Sequence, residues 1–249
     1  LNPIIIQISP GVYVENNSTG AFIITAEGIS IIADSSTSVY IIPNTSATTL
    51  ITANTAVKFV GITFRALAQT GTCITMSSGI INALINVTFS NFLVAAEFGG
   101  GALNLFLLSD CSFLSNATAI VVNNTNVKVS ACNLFGDVVL SNPPVGVGIS
   151  MSGSSSKVIV ESCMIGGCVT GIMGVSNALC TTIGTVFRHN ATSIIQTTAS
   201  QFNLNSCNFQ ITDDTNDINV QISDTGTLTE IVGCSFNGKD DSGVSQATC

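Results

Sequence analysis

Val57-Lys58-Phe59-Val60-Gly61-Ile62-Thr63-Phe64 is two alternating apolar pairs hinged on a glycine. Val57 and Phe59 lie two apart, as do Ile62 and Phe64, and period two marks one face of a strand. From Phe59 to Ile62 the step is three, so both pairs face inward only if the chain bends between them. The phrase returns as Phe106 to Phe113, Val127 to Leu134, Val158 to Ile165, Cys180 to Phe187, Phe202 to Phe209 and Thr229 to Phe236. A looser copy runs from Asn82 to Phe89, and an earlier one fits Ile24 to Ile31.

Taking the last residue of each copy as an anchor gives Phe64, Phe89, Phe113, Leu134, Ile165, Phe187, Phe209 and Phe236, spaced 25, 24, 21, 31, 22, 22 and 27 residues apart. Five residues before the anchor the chain is apolar in every copy but that of Thr182. The residue just before the anchor is mostly polar (Thr63, Thr88, Ser112, Asn133, Asn208, Ser235) and is expected to face solvent. Gly61, Gly184, Gly233, Ser162, Ser206, Asp110 and Asn86 fall in the bend. A second corner follows the anchor, where Asn116, Asn190, Asn91 and Gly136 suit the left-handed conformation of a tight turn. A third apolar stretch comes next, as in Ala119-Ile120-Val121-Val122 and Gly171-Ile172-Met173.

Three short strands per repeat of this length describe a solenoid. The expected fold is all-β: a right-handed parallel β-helix of about nine or ten turns, a rod of roughly 45 Å at one strand spacing per turn. Leucine-rich repeats are excluded by their missing Leu/Asn signature, and β-propellers by their longer blades of roughly 40 residues. One domain over 1–249 is expected, with lead-in strands at 1–23, regular turns at 24–237 and a C-terminal tail at 238–249.

Composition narrows the function. Charged residues are 8% of the chain and the formal net charge is -8. That leaves neither a basic nucleic-acid footprint nor a polybasic membrane patch. Hydrophobic residues at 46% argue against disorder, and no apolar run is long enough for a membrane span. The chain starts at Leu1 without a basic signal region, as a processed form or an excised domain would.

Cys111, Cys132, Cys163, Cys207 and Cys234 all fall two before an anchor, the slot that Ile62, Val87 and Thr185 fill elsewhere. A buried stack of small side chains explains this. Disulfides between neighbouring turns are the alternative, although side chains pointing the same way would strain them. A single His and the absence of paired Cys-x-x-Cys argue against zinc.

The repeat, together with Ile8-Ser9-Pro10-Gly11-Val12-Tyr13-Val14-Glu15, resembles the pectin-lyase-like superfamily; that segment is similar to the Pro-Gly-x-Tyr-x-Glu opening of pectin methylesterases. The resemblance implies a β-helix and raises polysaccharide chemistry as a possibility. The esterases' Gln-Asp-Thr and Asp-Phe-x-Phe-Gly motifs and the polygalacturonases' Gly-His-Gly are missing. Lyases need Arg or Lys, and the basic residues here are only Lys58, Arg65, Lys128, Lys157, Arg188 and Lys239. Gly100-Gly101-Ala102-Leu103, Phe113-x-x-Asn116 and Phe187-x-x-Asn190 are similar to the repeats of chlamydial polymorphic membrane adhesins.

The acidic candidates are Asp213, Asp214 and Asp217. They suit a solvated loop, a Ca²⁺ site built from oxygen ligands, or an acid–base pair of glycosidase type. Asp240-Asp241 reads as a polar tail. His189 beside Arg188 reads as an exposed turn residue. Asn-x-Ser/Thr sequons occur at Asn16, Asn17, Asn44, Asn86, Asn116, Asn123 and Asn190.

The reading reached is a non-enzymatic β-helix of a virion (capsid-associated or spike) or of a cell surface, in the manner of an adhesin. It requires no cofactor. Its expected partners are other subunits covering the rod ends, and glycans. The alternative is a polysaccharide lyase, hydrolase or esterase, which requires a cluster of acidic and basic side chains from three adjacent turns of one sheet.

Overall fold

The computed structural model describes residues 3–15, 20–34, 39–43, 49–79, 81–136, 146–210, 218–222, 228–239 and 245–246. Among them there is no helix, and the chain winds through three parallel sheets in strict rotation. The first sheet is 10-stranded, from Ile4–Ile8 to Leu228–Val232, and the third is 9-stranded, from Phe22–Ile24 to Ile218–Ile222. The second runs from Gly11–Glu15 to Ser235–Lys239 and closes with Ser245–Gln246, which pairs antiparallel at Gly238 and Lys239. Nine turns are complete, and a tenth has its first two sides. The protein is a parallel β-helix.

The anchors form one column in the second sheet. Phe64 aligns with Phe89, Phe89 with Phe113, Phe113 with Leu134, Leu134 with Ile165, Ile165 with Phe187, Phe187 with Phe209 and Phe209 with Phe236. The rings stack where they are adjacent, with centroids 5.0 Å apart for Phe89–Phe113 and 4.7 Å for Phe187–Phe209. In-register stacking of identical side chains is what a constant strand spacing imposes, and it explains why one slot tolerates only apolar residues.

The bend before each anchor is left-handed in all eight copies: Gly61, Asn86, Asp110, Ala131, Ser162, Gly184, Ser206 and Gly233 have φ between 51° and 72°. Each turn also hydrogen-bonds the next there, as when Gly61 N–H donates to the Ile85 carbonyl at 3.0 Å.

Two sequence expectations are corrected. At the corner after the anchor Asn91 is left-handed as expected, and so is Gly167, but Ser115 and His189 hold that conformation in place of Asn116 and Asn190. Asn116 and Asn190 follow them and point inward, buried, bonding the turn before through both ends of the amide. Glycosylation at these two sequons is incompatible with the folded state. The copy placed at Ile24 to Ile31 is not one either: Ile24 ends a third-sheet strand and Ile31 lies in the first sheet, aligned with Phe59. The residue above Phe64 is Ile41, because Ile31 and Val39 are separated by inserted residues.

All eight described cysteines are free thiols, and all but Cys234 are buried. The five that stand two before an anchor also bond polar groups, which Ile62 and Val87 in the same slot cannot. Cys111 N–H donates to Cys132 Sγ at 3.3 Å, Cys132 N–H to Cys163 Sγ at 3.4 Å and Cys207 N–H to Cys234 Sγ at 3.4 Å. The Cys132 thiol donates to the Ser130 carbonyl at 3.2 Å. Thr185, in the same slot, turns its hydroxyl to the Ile183 carbonyl at 3.4 Å. Sulfur thus supplies a weak donor and a weak acceptor within an apolar column.

Candidate binding surfaces

Asp213, Asp214 and Asp217, and likewise Asp240 and Asp241, lie outside the described residues. Arg188 is exposed at the end of a second-sheet strand, and half-buried His189 holds the left-handed corner after it. Among the described residues no group of three His, Cys, Asp or Glu side chains could hold a metal ion.

The outer face of the third sheet carries a polar ladder that Val121, Met173 and Ile195 interrupt. Ser77 Oγ donates to Asn54 Oδ1 at 3.0 Å, Asn123 Nδ2 to Glu97 Oε1 at 3.2 Å and Ser152 Oγ to Asn123 Oδ1 at 2.6 Å. Thr52 and Thr75 continue this face in register with Glu97. Its polar stretches present hydroxyls, amides and the Glu97 carboxylate, which is chemistry suited to sugar hydroxyls or to another polar subunit face. The sequence hid it, because the strands that carry it follow corners of varying length, so only the observed pairing aligns its members.

Charge gathers on the outer face of the first sheet. Lys128 Nζ meets Glu161 Oε2 at 2.9 Å, and Lys157 begins the same strand as Glu161. These three side chains come from two adjacent turns. The turns on either side present Leu105, Leu107 and Ser109, and Leu179, Thr181 and Ile183. The three-turn acid–base cluster required of a polysaccharide-active site is therefore not formed there. A shallow cleft of about 280 Å³ at the second corner is lined by Arg65, Ala66, Leu67, Ser90, Asn91 and Ser115, with no carboxylate.

The first turn is a third surface. Ile4, Ile5, Ile6, Val12, Tyr13, Val14, Phe22 and Ile23 are all exposed. Behind them an apolar cavity of about 250 Å³ opens into the helix interior between Ile6, Ile8, Phe22, Ile31, Ile41 and Phe59. The signal in the sequence was the unbroken run Ile4-Ile5-Ile6, apolar on both faces of its strand.

A viral protein shares this fold. The ORF18 protein of Geobacillus virus E2 superposes with a TM-score of 0.56 at 12% identity, over 95% of this chain and 53% of its own. This chain thus spans about half the length of that protein. The PL6 family alginate lyase AlyGC matches with a TM-score of 0.44 at 15% identity, over 92% of this chain and 37% of its own. The periplasmic alginate epimerase AlgG matches with a TM-score of 0.41 at 10% identity, over 91% and 78%. No family model matches the sequence, and no curated protein does. At these identities the likeness concerns the fold, and function is argued from the surfaces.

Proposed function

We propose that the protein is a non-enzymatic β-helical rod of a virion or an extracellular surface, contacting other subunits and glycans through its outer faces. The observation that carries this reading is the make-up of those faces: hydroxyls and amides recur on the third sheet, and on the first sheet Lys58 and Glu230 stand turns away from the Lys128–Glu161 pair, too far to join it in one cluster. A polysaccharide-degrading site needs more. It must bind a chain across several turns and place proton donors and acceptors at one bond. The fold shared with the viral ORF18 protein supports the virion setting.

If the alternative held, Lys128, Lys157 and Glu161 would be its nearest approach to a catalytic group. The deciding experiment incubates the chain with acidic and neutral polysaccharides, alginate and pectin among them, and follows unsaturated products and new reducing ends. The rod reading expects none, together with retention on some immobilised glycans. Product that accumulates with time and enzyme concentration would replace this reading with the enzymatic one.

A further inference from the structure

We infer that the cleft at the second corner binds one carboxylate-bearing sugar, the terminal residue of a surface glycan, through Arg65. The inference rests on the glycan contact proposed above and gives that contact a site. Three consecutive turns build the cleft. Arg65 aligns with Ser90 and Ser90 with Leu114, whose neighbour Ser115 lines the far end. Two strand spacings, roughly 10 Å, separate the first of these turns from the last. The wall is an extended corner. Residues 66–71 join Arg65 to the strand at Thr72, whereas 91–93 and 115–117 make the same connection in the next two turns, six residues against three. The added length lets the corner run along the rod, and Gln69 Nε2 donates to the Ser115 carbonyl at 2.9 Å, two turns on. Asn91 Nδ2 donates to the Ala66 carbonyl at 3.2 Å and ties down the near end.

Both amides are thus committed to the frame. The remaining lining groups are the Arg65 guanidinium, the Ser90 and Ser115 hydroxyls and the exposed Leu67 side chain. That set matches one ligand chemistry. A guanidinium grips a carboxylate through two parallel hydrogen bonds. Serine hydroxyls pair with sugar hydroxyls, and leucine covers the C–H face of a ring. The chain carries a formal net charge of -8 with six Lys and Arg. An arginine in a cleft that, among the described residues, has no carboxylate is therefore a specific attractor for an anion in a repelling field. The volume of about 280 Å³ lies at the low end for small-ligand sites and suits one or two sugar residues, not a threaded polymer. None of the lining side chains is a carboxylate or an imidazole, so the site holds its ligand without a group to move a proton. Arg188 is the internal comparison. It too follows an anchor, Phe187, but residues 189–191 form a corner of the short kind.

The test titrates the chain at fixed ionic strength with two acidic sugars, the methyl glycosides of a nine-carbon sialic acid and of glucuronic acid. Each is paired with its methyl ester, which keeps the shape and removes the charge. At least one acid should bind roughly tenfold or more tightly than its ester, as a charge-assisted bond pair implies. The acid that does so identifies the source of the carboxylate. Arg65→Gln should bring that acid down to the affinity of its ester, and Arg188→Gln should change nothing. Arg65 is exposed, so the variant should fold, and circular dichroism checks it. Should it misfold, chemical-shift changes on the unaltered chain decide, because they must fall at Arg65, Ser90 and Ser115. Equal binding of acid and ester, undiminished binding by Arg65→Gln, an equal loss in Arg188→Gln, shift changes elsewhere, or no binding of either acid would each overturn the inference. Retention on immobilised neutral glycans separates the two readings. If it persists while the acids fail, the site is wrong and the glycan contact stands, and if no glycan is retained, both fall.

Discussion

Asn116 takes the backbone N–H of Phe92, one turn earlier, onto Oδ1 at 2.9 Å, while its Nδ2 donates to the Phe89 carbonyl at 3.1 Å. One buried side chain thereby satisfies two backbone groups at a corner where the sheet ladders are interrupted. Asn116→Ala strands both groups away from water, at about 1–3 kcal/mol each. Urea unfolding followed by circular dichroism should show a clear drop in midpoint. Asn190, which bonds Cys168 and Ile165 in the same way, should behave alike.

That relationship marks where the sequence stopped being readable. The anchor column, the bend before it and the inward cysteines were legible, because each recurs at a fixed offset within an eight-residue phrase, although the left-handed backbone of that bend came from the structure. The second corner was legible only as a corner. Asn in a turn reads as a left-handed residue, but here Ser115 and His189 take that conformation and free the Asn to point inward. The polar ladder from Asn54 to Ser152 was invisible, since loop length varies before each third-sheet strand. The first turns were obscured by the inserted residues between Ile31 and Val39.

Burial makes the thiols a pH-dependent element. It pushes the Cys168 thiol up to about 12 and raises those of Cys73 and Cys180. In the unfolded chain a thiol ionises near pH ~8.5. Above that value the unfolded state sheds protons that the native state keeps, so stability is full below pH ~8.5 and falls as pH rises toward the folded value. The slope is about 1.4 kcal/mol per pH unit for each such thiol. Denaturation midpoints measured from pH 7 to 11 should decline accordingly. The native chain should resist alkylation at these cysteines, and they should react without reductant once the chain is unfolded. Thiols that remain blocked after unfolding would show that they were oxidised.

Gly100 and Gly101 are adjacent, both with positive φ, yet they should respond differently to alanine. A Cβ on Gly100 would lie 1.6 Å from the Ser77 carbonyl oxygen, whereas one on Gly101 meets nothing within 4 Å. Gly101→Ala carries backbone strain alone, about 1–3 kcal/mol. Gly100→Ala must also push apart two neighbouring turns, so it should unfold at markedly lower temperature or fail to accumulate. Equal melting temperatures for the two variants would contradict this packing.

Replacing Asp213, Asp214 and Asp217 together by Asn tests the sequence reading of that segment. A solvated loop predicts a change within about 0.5 kcal/mol and no response of the melting temperature to millimolar Ca²⁺. A Ca²⁺-dependent rise that the triple variant loses would establish a cation site, because a ligand that binds only the native state stabilises it.

Lys128 and Glu161 provide the last test. Their side chains remain 40% and 34% exposed at 2.9 Å separation, so water screens the pair. A double-mutant cycle with Lys128→Met and Glu161→Gln should give a coupling of about 0.2–1 kcal/mol, reduced by salt. Stability therefore hardly depends on these residues, and the variants will fold. That makes them informative about function: in a rod, both variants should assemble and retain glycans as the unaltered chain does. In a polysaccharide-active enzyme, Lys128→Met combined with Lys157→Met, which removes the lysine of the adjacent turn as well, would abolish turnover while the chain stays folded.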